Sequence, residues 1–310
     1  MNPAHALLEG LIDYAGLFPP AALDMASAAQ AYAEYRGSED RQLVGRFIVP
    51  AGRLDELASA TRRLSGRADD RPWGISVIAG PDFAADSERI LEFNGTQGGR
   101  GNANGPGVDA IELRCEAVEA AVTASSDISR ALEVFDDGLD LFLEIPVDPD
   151  PAPMIAQLSK TRAFAKIRTG GVSEGAIPSA DRVLRFIRAC ADSGVPFKAT
   201  AGLHHPVRGR YALTYEPDAP RALLFGFLNI FLAAAFTRTG MRDSELLELL
   251  NETDASAFEL DEAGARWRDH RVGAEDITAA RAHLARSFGS CSFVEPTSEL
   301  KELWPSTASR

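Results

Sequence analysis

Glutamate, lysine and arginine side chains recur near the ends of short apolar segments of this chain, where charge is costly to bury. These residues are Glu112, Arg114, Glu144, Lys166, Arg168 and Lys198. A lysine amine that is desolvated beside a second cation loses its proton more readily and can add to a carbonyl carbon to form an imine. A neighbouring glutamate can then transfer protons. The residue types therefore indicate imine chemistry on a small carbonyl compound, with a purely structural ion network as the alternative.

Lysine is scarce in this chain, and its positions are informative for that reason. Only four of the 32 Lys and Arg residues are lysines, namely Lys160, Lys166, Lys198 and Lys301. Arginine cannot deprotonate near neutral pH or form an imine, so a lysine kept in an arginine-rich chain indicates a need for an amine. Lys166 and Lys198 both lie inside apolar segments. They are therefore the first candidates for chemistry.

The elements that would position these side chains follow a regular rhythm. Apolar segments rich in Val, Ile and Phe alternate with helical segments, and they span residues 43–50, 73–80, 108–114, 139–147, 162–171 and 195–205. Such alternation predicts βα units and a parallel sheet. No glycine-rich nucleotide-binding fingerprint follows the first of them, which favours an α/β fold of the (β/α)8 TIM-barrel type over a doubly wound sheet.

The pattern predicts a single barrel domain over residues 1–310. Residues 1–40, which include "DYAGLFPPA" at 13–21, are expected to form an N-terminal helical extension before the first strand. Residues 206–310 are expected to form the less regular closing part of the barrel, where the pattern does not place strands seven and eight.

Functional side chains of a (β/α)8 barrel come from the carboxyl ends of its strands, which meet at one mouth. Glu112 and Arg114 are two residues apart, and so are Lys166 and Arg168, so each pair shares one face of its strand. The residues expected to carry catalysis are Lys166, Lys198, Glu144, Glu112 and His204.

"KIRTGG" (166–171) followed by "FKATAGL" (197–203), with one helix between them, resembles the paired lysine strands of deoxyribose-phosphate aldolase. The resemblance implies a class I barrel aldolase in which Lys166 forms the imine and Lys198 lowers its pKa. Glu144 is the nearest candidate for the acidic proton relay of that family. "DAIELR" (109–114) more weakly resembles the Glu- and Arg-bearing strand of type I dehydroquinate dehydratase, which is also a Schiff-base barrel.

"FGSCS" (288–292) resembles the small-residue strand end that holds phosphate in the aldolase family, which implicates Ser290 and Ser292. We therefore expect a small anionic carbonyl substrate, phosphorylated or carboxylated. The residues expected to bind it are Arg114, Arg168, Thr169, Gly170, Gly171, Thr200, His205, Ser290 and Ser292.

The adjacent pair His204 and His205 raises a second possibility, a metal site. Neighbouring residues of an extended strand point to opposite faces, so both bind one ion only if the chain has already turned. We expect no metal and no cofactor, with His204 as an acid or base at the mouth. A metal-dependent lyase that uses Glu112, Glu144 and His204 is one alternative, and a non-catalytic metabolite-binding barrel is another.

Three cysteines, Cys115, Cys190 and Cys291, are scattered without a CxxC pair. Cys291 lies among small residues with no base adjacent in sequence, so we expect it to be a packed residue.

The net charge of −13 argues against nucleic acid or an anionic membrane as a partner, because the field of the protein repels polyanions. The start of the chain lacks a signal-peptide pattern, and a cytoplasmic location is expected. The most apolar stretch, residues 222–236, contains Asn229 and is short for a membrane span, which favours a buried or subunit-interface helix and allows a homo-oligomer.

Overall fold

Eight parallel strands close into a barrel in the computed structural model, which describes residues 3–64, 72–97, 106–114, 135, 138–261 and 263–304. The strands are β1 (Ile12–Tyr14), β2 (Val44–Pro50), β3 (Gly74–Ala79), β4 (Gly107–Leu113), β5 (Asp140–Glu144), β6 (Phe164–Arg168), β7 (Phe197–Thr200), β8 (Gly209–Ala212), β9 (Arg221–Leu224), β10 (Phe258–Asp261), β11 (Gly264–Trp267), β12 (His270–Gly273) and β13 (Ala285–Ser290). The helices are α1 (Pro3–Leu8), α2 (Met25–Gly37), α3 (Leu54–Leu64), α4 (Phe83–Gln97), α5 (Ala152–Leu158), α6 (Ala180–Ser193), α7 (Phe227–Arg238), α8 (Asp243–Asn251), α9 (Ala274–His283) and α10 (Val294–Leu303).

The order of strands around the barrel is β1-β13-β7-β6-β5-β4-β3-β2, and β2 pairs back with β1 to close it. Where the connection between successive strands is described, it contains a helix, so the apolar faces of these strands are covered by helices outside and by one another inside. The predicted (β/α)8 TIM-type barrel is confirmed. The six predicted apolar strands are β2 to β7.

The first strand of the barrel lies in the segment that the sequence assigned to an N-terminal extension. Ile12–Tyr14 pairs in parallel with both β13 and β2, and the helix predicted before the first strand, α2, follows β1 instead. Three residues are too few to show strand periodicity, which explains the difference. Tyr14 anchors the strand because its ring packs against those of Tyr35 and Phe47. Helix α1 is the part of the predicted helical extension that precedes the barrel.

The eighth strand, β13, has the sequence "ARSFGS". Its small and polar residues lack the branched apolar run that marks the other strands, so composition did not identify it. Five of its six residues are nevertheless buried, because β1 and β7 flank it and α7 and α9 cover it. Phe288 stacks on Phe227 of α7 with ring centroids 5.3 Å apart. This contact fixes the closing strand against the helical layer.

The chain between β7 and β13 adds two small antiparallel sheets to the barrel. Strands β8 and β9 pair with each other, and β10, β11 and β12 form a three-stranded sheet. The chain turns tightly between β10 and β11, where Gly264 pairs with Asp261. Only the β8–β9 pair contributes residues to the cavity described below.

Helix α7 explains the most apolar stretch of the sequence. It is buried from Phe227 to Thr237 and packs against α6, α8, α9 and β13 of the same chain. The side chain of its buried asparagine, Asn229, donates to the carbonyl oxygens of Leu249 (2.8 Å) and Glu252 (2.9 Å) and accepts from the Arg208 amide (2.8 Å). The composition of α7 therefore needs no partner subunit to account for it. Across the described ranges, no helix has the length and apolar character needed to cross a membrane.

Candidate active site

The pairing of the strands places the two candidate lysines side by side. Lys166 on β6 is in register with Lys198 on β7 and with Glu144 on β5. Partners in register on parallel strands project from the same face of a sheet, and here that face is the interior of the barrel. Glu112 reaches the same interior from β4, and Asp13 from β1.

Six side chains form a continuous series of ion pairs inside the barrel. We call them the lysine network: Asp13, Lys198, Glu112, Lys166, Glu144 and Arg168. Glu112 joins the two lysines, because its Oε1 accepts from Lys198 Nζ at 2.6 Å and its Oε2 from Lys166 Nζ at 3.1 Å. Asp13 Oδ2 accepts from Lys198 Nζ at 2.6 Å at one end of the series. At the other end, Glu144 Oε2 lies 3.1 Å from Lys166 Nζ, and Glu144 Oε1 accepts from Arg168 Nε at 3.3 Å.

The network alternates in sign and holds three carboxylates against three cations. Lys198, Glu112 and Lys166 are each at most 2% exposed, whereas the Arg168 side chain is 47% exposed. The series therefore runs from the closed interior to the solvent. Buried charges that are fully paired in this way avoid the penalty of an isolated buried ion.

The paired charges shift the ionisation of the network. Burial disfavours the charged form of Lys198, but Asp13 and Glu112 outweigh it and raise its pKa. Burial also opposes ionisation of Glu112, yet the two lysines and two hydrogen bonds hold its pKa well below its ordinary value. Glu144 has a lowered pKa for the same kind of reason, because Lys166 and Arg168 outweigh the effect of its burial. Lys198 is therefore a fixed cation, and both glutamates are carboxylates near neutral pH.

Two serines complete the interior end of the network. Ser76 Oγ donates to Glu112 Oε1 at 2.8 Å, and Ser287 Oγ donates to Asp13 Oδ2 at 2.7 Å. The other Asp13 oxygen accepts from the Arg46 amide at 2.8 Å. The sequence did not place Asp13 among the site residues, since it lies on a strand that the periodicity missed. Its sequence signal is a single aspartate before an aromatic residue, "DYAG".

A cavity of about 550 Å³ opens at the carboxyl ends of the strands, next to this network. Lys166, Glu112, Arg168 and Arg114 line it, whereas Lys198 lies behind them and does not. The β8–β9 pair and the segment around Phe18 form the opposite wall. The predicted location, the carboxyl end of the barrel, is where the structure brings Lys166, Glu112, Arg114 and Arg168 together.

Five of the other residues expected to bind substrate divide into two groups. Gly171, Thr200 and His205 line the cavity. Thr169 is buried, and its Oγ1 donates to the carbonyl oxygen of Ala201 at 2.7 Å, so it joins the end of β6 to the loop after β7. Gly170 lies against Gly202 so closely that an added Cβ would come 3.0 Å from the Gly202 Cα. Thr169 and Gly170 thus hold two strand ends together.

The two adjacent histidines each pair with a different glutamate of α10. His204 Nδ1 lies 3.0 Å from Glu295 Oε2, and His205 Nδ1 lies 2.7 Å from Glu299 Oε1. Residues four apart lie on one face of a helix, so a single turn of α10 serves both rings. His205 also stacks on Tyr211, with centroids 3.4 Å apart. Both histidines line the cavity, and neither is left to bind a shared ion.

A second group of reactive side chains surrounds His204. We call it the thiol–imidazole cluster: His204, Cys291, Glu295 and Tyr215. Cys291 Sγ lies 3.7 Å from His204 Nε2 and 3.7 Å from Tyr215 Oη. The Tyr215 hydroxyl donates to Glu295 Oε2 at 2.8 Å. From the sequence we expected Cys291 to be a packed residue, because no base is adjacent to it. His204, which faces it, is 87 residues away along the chain.

The serines of "FGSCS" are engaged in local hydrogen bonds. Ser290 Oγ donates to the carbonyl oxygen of Ser292 at 2.6 Å, and Ser292 Oγ accepts from the Glu295 amide at 3.2 Å. Both hydroxyls thus shape the turn that leads into α10. Gly289 and Cys291, rather than these two serines, line the cavity.

The positions of the same residues bear on the metal-dependent alternative. Within the part of the chain that the structure describes, no three His, Cys, Asp or Glu side chains are grouped so that they could hold an ion. Glu112 and Glu144 face lysines, and His204 faces Glu295, so the ligands of the metal-dependent alternative are not brought together. Cys115 lies outside the described residues.

Comparisons of this chain with known protein families, with curated proteins and with solved structures found no match. The resemblances to deoxyribose-phosphate aldolase and to type I dehydroquinate dehydratase therefore stay predictions from the sequence.

Proposed function

We propose that this chain is a lyase of the aldolase type, which acts on a small anionic carbonyl compound through an imine at Lys166. One observation carries the proposal. Lys166 Nζ lies at the wall of the cavity between two carboxylates, each 3.1 Å away, and one of these carboxylates also holds Lys198. A buried amine beside proton acceptors and an open cavity is the arrangement that imine formation requires.

The first step is removal of a proton from Lys166, and Glu144 is the better acceptor. Glu112 keeps its negative charge firmly, because Lys198 and Ser76 remain bonded to it when Lys166 becomes neutral. Among the described residues, Glu144 then retains Arg168 as its cationic partner, and its Oε2 has no hydrogen-bond donor other than the Lys166 ammonium 3.1 Å away. That oxygen is free to take the proton from Lys166 Nζ.

The neutral amine then adds to the substrate carbonyl carbon. The π electron pair moves to the oxygen, which takes a proton from Glu144, and loss of water leaves a protonated imine. The imine accepts the electron pair of the bond between the α and β carbons as that bond breaks, and Glu144, again a carboxylate, takes the proton of the β-hydroxyl group. An aldehyde leaves, and protonation and hydrolysis of the enamine on Lys166 release the second product. Lys198 takes no proton in this sequence. It balances Glu112 so that the charge of the interior stays even while Lys166 reacts.

Arginine side chains at the mouth account for the anionic group of the proposed substrate. Arg114 and Arg168 line the cavity beside Lys166, and Arg221 lines it from β9. The net charge of −13 repels small anions in general, so these local cations are what would draw one in. Guanidinium groups bind carboxylate and phosphate through paired hydrogen bonds. The proposal agrees with the resemblance of "KIRTGG" and "FKATAGL" to deoxyribose-phosphate aldolase.

Borohydride reduction in the presence of glyoxylate, pyruvate or glyceraldehyde 3-phosphate tests the proposal. The wild-type chain should gain the mass of one reduced adduct, and peptide mapping should place it on Lys166. Lys166→Arg preserves the positive charge but cannot form an imine, so it should lose the adduct. Lys160→Arg, at an exposed lysine, is the matched control and should keep it. Absence of an adduct with every carbonyl compound, or an unchanged adduct in Lys166→Arg, would contradict the proposal. Ligand binding without an adduct would favour a metabolite-binding barrel.

A further inference from the structure

The thiol–imidazole cluster has no part in the imine chemistry, yet it lines the same cavity. Cys291, His204, Glu295 and Tyr215 all contribute to the cavity wall. They come from three parts of the chain, namely the loop after β7, the segment between β8 and β9, and the turn and first residues of α10. A thiol, an imidazole and a carboxylate in sequence are the parts of an activated nucleophile.

The hydrogen bonds of the cluster determine which His204 nitrogen faces the thiol. Glu295 Oε2 lies 3.0 Å from Nδ1, so Nδ1 carries a proton and donates it to the carboxylate. Nε2 is left facing Cys291 Sγ at 3.7 Å, where it can take the thiol proton. This is the order of contacts by which a carboxylate orients an imidazole and the imidazole activates a nucleophile.

Tyr215 fixes the carboxylate at the other end of the cluster. Its hydroxyl donates to the same Glu295 oxygen that accepts from His204. Burial, together with Cys291 and Glu295, raises the pKa of Tyr215, so the phenol stays protonated and remains a donor. Glu295 keeps a lowered pKa, because hydrogen bonds from His204 and Tyr215 outweigh its burial. The carboxylate is therefore charged and held in one orientation.

The partners of His204 favour the protonated form of its ring. Burial opposes its protonation, but Cys291 and Glu295 outweigh burial and raise its pKa to about 9. The ring is therefore an imidazolium near neutral pH once it has taken the thiol proton. A thiolate, rather than a thiol, is the nucleophilic form of cysteine.

We propose that Cys291 is a second nucleophile of the cavity, activated by His204 and Glu295, which adds to the carbonyl carbon of a small anionic aldehyde. In the step, a bond forms between Sγ and the carbonyl carbon, and the π electron pair of the C=O bond moves to oxygen. That oxygen takes the proton that His204 Nε2 received from the thiol. The product is a thiohemiacetal, and the step needs no leaving group and no oxidant.

The cavity supplies the selectivity for an anion. Arg168 and Arg221 line it together with Cys291. The net charge of −13 repels anions from the protein in general, so these two cations supply the local attraction. Cys190 provides an internal contrast. It is fully buried on α6 and has a pKa raised by burial, with no imidazole beside it among its described contacts.

Alkylation of the wild-type chain, read out by peptide mapping, tests the nucleophile. At pH 6.5 iodoacetate should modify Cys291 at least about tenfold faster than Cys190, and His204→Gln should slow Cys291 at least about tenfold. Iodoacetate should also react faster than neutral iodoacetamide at Cys291, and Arg168→Gln should reduce that preference. A Cys291 that does not react, or that reacts equally fast in His204→Gln, would overturn the proposal. Glu295→Gln, which retains a hydrogen-bonding side chain, provides a second variant should His204→Gln fold poorly.

Glyoxylate labelled with ¹³C at its aldehyde carbon tests the covalent step without borohydride. The thiohemiacetal should give a new ¹³C resonance in the wild-type chain, and Cys291→Ala should lose it. Lys166→Arg should keep it, because a lysine imine is not involved. A resonance lost in Lys166→Arg and kept in Cys291→Ala would refute the thiol proposal while supporting the imine proposal. The reverse result is the one expected, and it supports the thiol proposal whatever the borohydride experiment shows for Lys166.

Discussion

The lysine network and the thiol–imidazole cluster line one cavity but hold charge in different ways. The lysine network lies deep, with Lys198 fully buried and every carboxylate placed between or beside cations. The thiol–imidazole cluster lies nearer the solvent, where the Glu295 side chain is 35% exposed and Tyr215 is 53% exposed. The first depends on ion pairs within a closed interior, and the second on hydrogen bonds around one titratable ring.

This difference has a consequence for how each region responds to pH. In the lysine network, the pKa shifts of Lys198, Glu112 and Glu144 move each group further from neutrality, so these three charges are constant across the physiological range. In the thiol–imidazole cluster, the pKa of His204 at about 9 brings a change of charge within reach of mildly alkaline solution. The deeply buried charges are therefore fixed near neutral pH, whereas the charge of His204 nearer the solvent can change.

The largest expected effect is on the deep region. Lys198→Met removes the cation that holds both Asp13 and Glu112 and leaves buried carboxylates without their main partner. We expect the free energy of unfolding to fall by about 3–5 kcal/mol. Urea denaturation followed by circular dichroism measures it.

Lys160→Met, at an exposed lysine, is the control and should change stability by less than about 0.5 kcal/mol. Equal losses in the two variants would mean that the buried ion pairs contribute no more than surface charge does.

Most residues of the lysine network could be predicted from the sequence, because two independent signals agreed. Strand periodicity placed Lys166, Lys198, Glu112 and Glu144 on neighbouring strands, and parallel strands in register bring such residues together. The scarcity of lysine then separated two lysines from many charged residues. Asp13 was missed, because three residues are too few to reveal a strand.

The thiol–imidazole cluster could not be predicted in the same way. Its contacts depend on where α10 begins and on how the β8–β9 pair folds over the mouth. Glu295 is 91 residues from His204, and Tyr215 is 76 residues from Cys291. No periodic pattern relates such positions, because the closing part of the barrel is irregular. Cys291 comes to lie opposite His204 because β13 pairs with β7, and the sequence did not identify β13.

A smaller effect is expected from pH in the shallow region. The folded pKa of His204, about 9, exceeds its unfolded value of 6.5, so its contribution to stability is fully present below pH 6.5 and is lost as pH rises through 9. The free energy of unfolding of the wild-type chain relative to His204→Gln should fall by about 2–3 kcal/mol between pH 6.5 and 9.5. Urea titrations at both pH values measure it.

The titratable groups that face His204 are Cys291 and Glu295, so Cys291→Ala is measured in parallel to remove the thiol. His283→Gln, at an exposed position on α9, is the matched histidine control. A flat profile for His204→Gln would mean that the ring is not an imidazolium in the folded chain.

The smallest effect concerns the connection between the two regions. Thr169 follows Lys166 on the chain by three residues, and its hydroxyl bonds the carbonyl oxygen of Ala201, which precedes His204. Thr169→Val should lower the free energy of unfolding by about 1 kcal/mol and leave the borohydride adduct at Lys166 unchanged. Thr278→Val, at an exposed threonine of α9, should change stability by less than about 0.5 kcal/mol. An unchanged stability together with a weaker adduct would instead place Thr169 in contact with substrate.

The pairing of β1 with β13 also has a consequence for how the protein is made. Asp13 is synthesised 274 residues before Ser287, which donates to it. A strand of three residues has too few hydrogen bonds to remain in place without both neighbours. Closure of the barrel must therefore wait until β13 has been synthesised. Until then the newly made strands have an open edge, whose unpaired backbone groups can pair with another chain.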